Sequence, residues 1–591
     1  MDTTMVHATI DGKACEFPKG TSILKAARSV GVDIPTLCHL EDVSENASCG
    51  LCLVEVPGAK SLLRACVTKV AEGMNILTAT ERCMRARKTN LELILANHPK
   101  DCLSCSRNGN CELQAMAERL GVKQVRFPRT RVADFVKDES SGSLVRDPNK
   151  CILCGRCVTV CETVQGVNAI DFAGRGINSR VSTFLQRGMD EVACMNCGQC
   201  ALVCPTAAIT EQDETEAVFS ALLDPTKIVV VETAPAVRVG IGEAMGMGAG
   251  ALVTGKMVAG LRRLGFNKVF DTQFSADLTI MEEGSELIHR VKNKGVLPMI
   301  TSCSPGWIKF VEHFYPNLIP HLSTCKSPQQ MFGSIAKTYW AEAVGADPRN
   351  IVVVSVMPCT AKKFEARRPE MDGAFHYWKD KMKLEDTESF YDVDFAITTR
   401  ELARMFRVAG IDLERLQDED FDDPLGRSTG AAVIFGATGG VMEAALRTAY
   451  ELITGKALPS VDLKEVRGFQ GIKTASVDAG GLKVNVAVAH TLKNARIILD
   501  EIAAGKSDYT FVEVMTCPGG CIGGGGQPLP VDKEKREARA KSIYLEDAGK
   551  PIRKSHESPA IQELYTKFLG QPLGHLSHEL LHTKYRPRAG V

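Results

Sequence analysis

The sequence predicts a multidomain protein in which small α+β modules that bind metal clusters precede one large α/β domain. Three observations carry this expectation. The chain has 591 residues, too many for one core, since single hydrophobic cores stop growing at about 250–300 residues. Of its 22 cysteines, fifteen between Cys38 and Cys204 stand in close groups at ligand spacing, after which cysteine becomes sparse. From about Asp224 onward, strand-like apolar runs such as KIVVVETAP, NIVVVSVMPC, DFAITT and AAVIFGATGG alternate with stretches of helical period, the pattern of an α/β domain. The expected modules are residues 1–80, 81–140, 141–215 and 224–530, with a C-terminal extension over 531–591.

Composition excludes several classes. The 71 basic residues balance the 71 acidic ones, so no overall field favours nucleic acid or an anionic membrane. The start, MDTTMVHATIDGKACEF, has no basic segment followed by an apolar run, and no stretch stays apolar for the roughly 18 residues of a membrane span. A soluble, cytoplasmic protein without a membrane span is expected. The cysteine groups point to metal rather than to a disulfide framework. Disulfides persist mainly in exported proteins, and CxxC neighbours are too close for unstrained bridges.

The modules follow in order. The segment VHATIDGKACEF alternates apolar and polar residues, turns at ProLysGly and continues into the helix-like TSILKAARSVGV, which predicts a strand–turn–strand–helix unit. Its cysteines are Cys38, Cys49, Cys52 and Cys66, with Gly50 inside the close pair, where a small residue lets a loop wrap metal. A zinc ribbon is the alternative use of four cysteines. The spacing resembles plant-type ferredoxins, as found at the start of the large iron–sulfur subunit of respiratory complex I, and implies a [2Fe–2S] cluster. After the helical run ERCMRARKTNLELILANHP come His98, Cys102, Cys105 and Cys111. One imidazole and three thiolates can hold a [4Fe–4S] cluster at a raised potential, because imidazole is neutral where thiolate is charged. This HxxxCxxC pattern is similar to that of the same complex I subunit. Two runs then repeat one spacing, Cys151, Cys154, Cys157, Cys161 and Cys194, Cys197, Cys200, Cys204, the second ending in Pro205 and the first in Glu162. In this two-cluster bacterial ferredoxin pattern the fourth cysteine of each run serves the other run's cluster. Cys151, Cys154, Cys157 and Cys204 are expected to hold one [4Fe–4S] cluster, and Cys194, Cys197, Cys200 and Cys161 the second. Four clusters make a wire for electrons. No open site or acid–base pair lies among them, so the chemistry is expected downstream.

There the sparse cysteines fall in three segments: Cys303 in TSCSPGW (301–307), Cys359 in MPCTAKKFE (357–365), and Cys517 with Cys521 in EVMTCPGGCIGGGGQP (513–528). The glycines of the last bring a backbone very close to something bulky. These segments, in this order and behind this cluster array, resemble [FeFe]-hydrogenases of the clostridial modular form over nearly the whole chain. The resemblance implies reversible H2 oxidation and proton reduction at an H-cluster, a [4Fe–4S] unit bridged by a thiolate to a two-iron subsite carrying CO, cyanide and a dithiolate. It implies Cys359, Cys517 and Cys521 as ligands, Cys521 as the bridging one, and Lys362 as the partner of a cyanide. Pro328, Gln329, Met357 and Met515 match pocket residues. Cys303, Glu283, Ser323, Glu286 and Arg290 match a proton relay, and Glu286 and Arg290, four apart, can share one helical face. One position departs. Where the family commonly has a second cysteine that ligates the [4Fe–4S] unit, this chain has Ser304. Serine ligation, capture of the ligand position by Cys303, and the more distant Cys325 all stay open.

Two other readings share some of these features. A scaffold or assembly-type relative with a degraded site accommodates Ser304. A complex I or formate dehydrogenase large subunit explains residues up to about 210 and nothing beyond. The cluster array suits both ferredoxin-dependent hydrogenases and catalytic subunits of NAD(P)-linked, electron-bifurcating ones, and the tail IQELYTKFLGQPLGHLSHELLHTKYRPR resembles the latter. GIGEAMGMGAG fits a GxGxxG fingerprint poorly and reads as a loop. Flavin and NAD(P) are therefore expected on partner subunits, together with a small [2Fe–2S] subunit. His575, His578 and His582 are expected at the surface or at an interface.

Overall fold

The computed structural model describes residues 4–131 and 134–588. Residues 1–3, 132–133 and 589–591, parts of the first, second and last expected modules, lie outside the described residues. The chain forms two compact units, one of Met1–Ser141, Val145–Val192 and Val203–Thr210, the other of Gly142–Leu144, Ala193–Leu202 and Glu211–Val591.

In the first unit, the strand–turn–strand–helix expected of the opening segment forms. Strands β1 (Met5–Ile10) and β2 (Lys13–Pro18) pair antiparallel across Asp11 and Gly12, with φ of 47° and 83°, a two-residue turn whose twist matches its strands. β1 also pairs in parallel with β3 (Met74–Ile76), giving the order β2-β1-β3. The helix Ile23–Ser29 starts at Ser22, whose hydroxyl accepts the Lys25 N–H, and buries Ile23, Leu24, Ala26 and Ala27 against the sheet's core. Helix α1 (Glu81–Ala96) is the long helical run. Its Asn90 amide donates to Gly50 O at 2.8 Å and its buried Arg87 donates to Leu53 O, so the helix grips both flanks of the loop that carries Cys49 and Cys52.

The second unit is built on two four-stranded sheets. In one, β4 (Ile228–Thr233), β5 (Lys268–Asp271), β7 (Ile351–Met357) and β8 (Phe395–Thr398) lie in the order β5-β4-β7-β8, all parallel. β7 is buried at every residue, which is why its valines run without polar alternation. In the other, β6 (Met299–Ile300), β9 (Ile472–Ala479), β10 (Leu482–His490) and β11 (Phe511–Met515) take the order β6-β11-β10-β9, with only β9 antiparallel. Three of these strands end just before a chemically important cysteine: β6 before Cys303, β7 before Cys359 and β11 before Cys517. Carboxyl ends of parallel strands are where ligands bind in such sheets.

One expected strand is not there. AAVIFGATGG forms a short helix, Gly430–Val433, and a 3-10 turn, Ile434–Gly436, buried throughout. A short apolar run surrounded by core on all sides carries no periodicity to separate strand from helix. The segment lies in a core with residues of helices α2 (Thr272–Lys292), α3 (Gly440–Thr454) and α4 (Lys533–Gly549). The N-terminus of α3 receives the buried Glu513 carboxylate from β11, which accepts the Gly439 N–H at 2.6 Å and the Met442 N–H at 2.7 Å, donors with no partner inside the helix. Among the described residues no helix is long and apolar enough to cross a membrane.

Helix α2 carries a buried Asp277, whose carboxyl accepts the hydroxyl and the backbone N–H of Thr429 at 2.6 and 2.8 Å. Burial pushes it up from 3.8 to about 7, against those hydrogen bonds. Between these values the native carboxyl holds a proton that the unfolded chain has released. Stability therefore falls as pH rises across that interval. Asp277→Asn should flatten this slope in chemical denaturation followed from about pH 4 to pH 8; equal slopes in the two proteins would show the carboxyl to be uninvolved.

Candidate active site

The structure gathers most of the expected ligand residues into groups. Cys38 Sγ lies 3.4 Å from Cys49 Sγ and Cys52 Sγ lies 3.3 Å from Cys66 Sγ, all four buried. Hydrogen bonding between the Cys38 and Cys49 sulfurs pulls Cys38 down to about 5, toward the thiolate form that metal takes. His98 Nδ1 is buried with no hydrogen-bond partner among the described residues, and burial lowers its pKa, as suits a neutral imidazole ligand. Cys102 opens a 3-10 turn, Cys105 faces Lys150 Nζ at 3.7 Å, and Cys111 feels the charge of Cys105. Cys151, Cys154, Cys157 and Cys204 line one small cavity. Cys161 Sγ accepts the Ala169 N–H at 3.3 Å. Cys194, Cys197 and Cys200 belong to residues 193–202 of the second unit.

A larger cavity lies at the carboxyl ends of the strands. Cys359, Cys517 and Cys521 line it together with Cys197, Cys303 and Ser304. Pro328, Met357 and Met515 give it an apolar wall, and Gln329 and Lys362 line it as well. The glycine loop after Cys521 makes this convergence possible. A Cβ on Gly524 would stand 2.1 Å from Pro358 O, and one on Gly525 2.1 Å from Cys197 O. Glycine is required by this close approach.

Charge in the cavity is arranged around one cation. Lys362 Nζ lies 2.7 Å from Glu365 Oε2 and donates to Cys303 O at 3.2 Å. Burial disfavours its charge, but Glu365 outweighs this and holds its pKa above the ordinary value. Glu365 also accepts from Ser327 Oγ at 2.7 Å and from Gln329 Nε2 at 3.2 Å. Gln329 Oε1 has no hydrogen-bond partner among the described residues. Burial pushes all three thiols up, Cys521 to about 12, and the charge of Cys359 raises both Cys517 and Cys521. Thiols this costly to ionise alone, with a buried ammonium and an orphan amide oxygen, suit a thiolate-held metal group with anionic ligands. The H-cluster fits this donor set.

The expected relay residues meet in space. Cys303 is partly buried, and its thiol's pKa is raised by desolvation first and by the charge of Glu283 second. Burial first and Glu286 second push Glu283 up to about 8, against hydrogen bonding with the Ser323 hydroxyl and the Ser302 backbone. Ser323 Oγ donates to Glu286 Oε2 at 2.9 Å. The other oxygen, Oε1, accepts from Arg290 Nη2 at 2.6 Å and Nε at 3.1 Å. Arg290 also caps the carbonyls of Leu322 and Pro320, at 2.7 and 3.2 Å.

Ser304 is held by a residue that sequence reasoning missed. Its hydroxyl lies 2.8 Å from Thr516 Oγ1 and accepts the Thr516 N–H at 3.3 Å. Glu365 was also missed, although its place three residues after Lys362 on a helix was a legible signal. Thr516, 212 positions from Ser304, left none. Cys325 does not line the cavity; its thiol faces Glu286 Oε2 at 3.9 Å. His582 corrects an expectation. His575 and His578 are exposed, but His582 is buried, because Cys325 and His582 pair across an antiparallel bridge that draws the tail inward.

Known proteins account for the whole arrangement. Residues 227–525 match the iron only hydrogenase large subunit, C-terminal domain, and 533–588 the iron hydrogenase small subunit. Upstream, 3–81 match a 2Fe-2S iron-sulfur cluster binding domain, 87–126 the NADH-ubiquinone oxidoreductase-G iron-sulfur binding region, and 150–208 a 4Fe-4S dicluster domain. The chain is 50% identical to the NADP-reducing hydrogenase subunit HndD of Solidesulfovibrio fructosivorans, covering 99% of each chain. It is 42% identical to iron hydrogenase 1 of Clostridium pasteurianum, over 98% of this chain and 99% of that one. A solved [FeFe]-hydrogenase HydA1 from Chlamydomonas reinhardtii superposes with a TM-score of 0.56 and 44% identity, over 64% of this chain and all of its own. With its cluster-binding modules, thiol-lined cavity and signature segments together, the chain belongs to the [FeFe]-hydrogenase family, as a large subunit with N-terminal iron–sulfur domains.

Proposed function

We propose that this chain interconverts H2 with two protons and two electrons. It carries the electrons through one [2Fe–2S] and three accessory [4Fe–4S] clusters, and works in the cytoplasm with flavin- and NAD(P)-binding and small [2Fe–2S] partner subunits, ferredoxin being the other electron partner. One observation carries the catalytic reading: Cys359, Cys517 and Cys521 share an apolar cavity with Cys303, which heads a line of hydrogen-bonding side chains through Glu283, Ser323 and Glu286 to Arg290. The full-length likeness to a hydrogenase subunit named as NADP-reducing supports the choice of partner.

Cys359, Cys517 and Cys521 would hold the H-cluster, which supplies the making and breaking of the H–H bond. Ser304 Oγ, held by Thr516 Oγ1 at 2.8 Å, would supply the fourth ligand, which would leave Cys303 to handle protons. Lys362, steadied by Glu365, offers its ammonium to an anionic ligand. Met357, Met515 and Pro328 keep the wall apolar and exclude water. The Cys303 thiol gives or takes the proton at the cavity. Glu283, protonated at neutral pH because its pKa is about 8, passes it through the Ser323 hydroxyl. Glu286 receives it on Oε2, while Arg290 keeps Oε1 occupied and orients the carboxylate.

Glu283→Gln removes a proton carrier without removing bulk. H2 turnover should fall roughly 10²- to 10⁴-fold with the infrared bands of the carbonyl and cyanide ligands unmoved; turnover at the parent rate would refute the relay. Ser304→Ala should lose iron from the H-cluster's [4Fe–4S] unit, whereas Ser304→Cys should keep it at a less negative midpoint potential, because a hard alkoxide favours oxidised iron more than a soft thiolate does. Full iron content in Ser304→Ala would assign the fourth position elsewhere. H2-dependent NADP⁺ reduction should require a flavin subunit recovered with the chain from its native cell. A chain isolated there as an active monomer would contradict that partnership.

A further inference from the structure

We infer that Glu286, Cys325 and His582 form a binding site for a borderline divalent cation of the zinc type, and that a cation bound there closes the proton route at Glu286. The second half rests on the relay reading given above; the first stands on geometry. The three residues come from helix α2, from the segment after Ser323 and from the C-terminal tail. All three are buried, and one ligand atom from each lies within 4.8 Å of the others. Zinc bonds sulfur at about 2.3 Å and nitrogen or oxygen at about 2.0–2.2 Å, so donors around it stand roughly 3.4–3.7 Å apart. Donors within 4.8 Å of one another need to close by about 1 Å to meet that spacing. Carboxylate, thiolate and imidazole together select zinc over magnesium or calcium, which take oxygen.

The surroundings resemble the support a metal-bound imidazole uses. His582 Nε2 lies 3.1 Å from Glu282 Oε2, and Nδ1 lies 2.8 Å from the Thr324 hydroxyl. A carboxylate on one ring nitrogen orients the ring and leaves the other for metal; here Nδ1 gives up only a neutral hydroxyl. Burial opposes ionisation of Glu282, but hydrogen bonds from His582, Tyr565 and the Leu573 N–H outweigh it and hold the carboxyl below its ordinary value. Glu282 and Glu286 face the site against one guanidinium, that of Arg290. The backbone fixes the register, since Lys326 N–H donates to Leu581 O and Thr583 N–H to Thr324 O, both at 2.8 Å. Exposed His578, its ring 4.3 Å from that of His582, marks the way in.

Closure follows from which oxygen is used. Glu286 Oε2, which faces the Cys325 thiol at 3.9 Å, is the same oxygen that accepts from Ser323 at 2.9 Å. Oε2 also accepts the Thr324 N–H at 3.0 Å; a cation there replaces the thiol proton of Cys325, which leaves to solvent, and, once bound to Oε2, keeps that oxygen from taking up a proton.

The test adds zinc chloride, with magnesium chloride as control, to the holoenzyme and compares turnover with and without metal within each variant. Zinc should lower turnover roughly 10²-fold, the loss typical when a proton-transfer group is taken out, and magnesium should not. The electron paramagnetic resonance of the accessory clusters should stay unchanged. Zinc K-edge absorption should show one sulfur among nitrogen and oxygen neighbours. Cys325→Ala should remove the sulfur neighbour and the inhibition, and His582→Gln, which keeps a donor for Glu282, should weaken both. Inhibition of equal size in Cys325→Ala, or an absorption spectrum that this substitution leaves unchanged, would overturn the site. Zinc held through Cys325 with turnover unaffected would leave the site standing and overturn the closure, while the turnover of Glu283→Gln separately decides the relay reading.

Discussion

Segment 520–526 has to run in backbone contact with the end of β7 and with the loop carrying Cys197, and much else in the second unit follows from that approach. A Cβ at Gly524 or Gly525 would collide with a carbonyl oxygen at 2.1 Å, so the glycines are there for distance rather than for flexibility. The approach sets Cys517 and Cys521 beside Cys359 and Cys197 around one cavity. Seclusion then raises the thiols far from their ordinary range, which makes metal the natural replacement for their protons. The same seclusion makes the Lys362 charge affordable only with Glu365 at 2.7 Å.

Helix α2 shows how one element handles four buried carboxyls. Asp277 and Glu283 are pushed toward neutrality, to about 7 and about 8, because burial outweighs their hydroxyl and amide donors. Glu282 and Glu286 instead have charged or multiple donors, His582 with Tyr565 for one and Arg290 for the other. A carboxyl pushed toward neutrality beside one paired with a guanidinium, joined through the Ser323 hydroxyl, is an arrangement suited to passing a proton.

The C-terminal tail belongs to this arrangement. Tyr565 and His582 both bond to Glu282, and Arg588 lies 2.7 Å from the buried Glu312, which Arg368 also holds at 2.6 Å. Without the tail, Glu282 would be a buried carboxylate lacking its donors, a costly state. The segment matched as a small subunit thus completes the electrostatics of helix α2 as well as covering its core.

Ligand groups, strand and helix periods and the three signature segments were legible in the chain because each is a property of residues within a few positions of one another. His98, Cys102 and Cys105, the alternation of β1, and Glu286 with Arg290 all belong to this kind. Tertiary structure decided what depends on distant partners or on burial. Ser304 meets Thr516 across 212 positions, and His582 meets Glu282 across 300. AAVIFGATGG is helical because neighbours enclose it on every side, which removes the period that would have announced its shape. Local spacing determines which atoms can share a metal, but only the folded core determines which charges are buried, and therefore which of them carry protons.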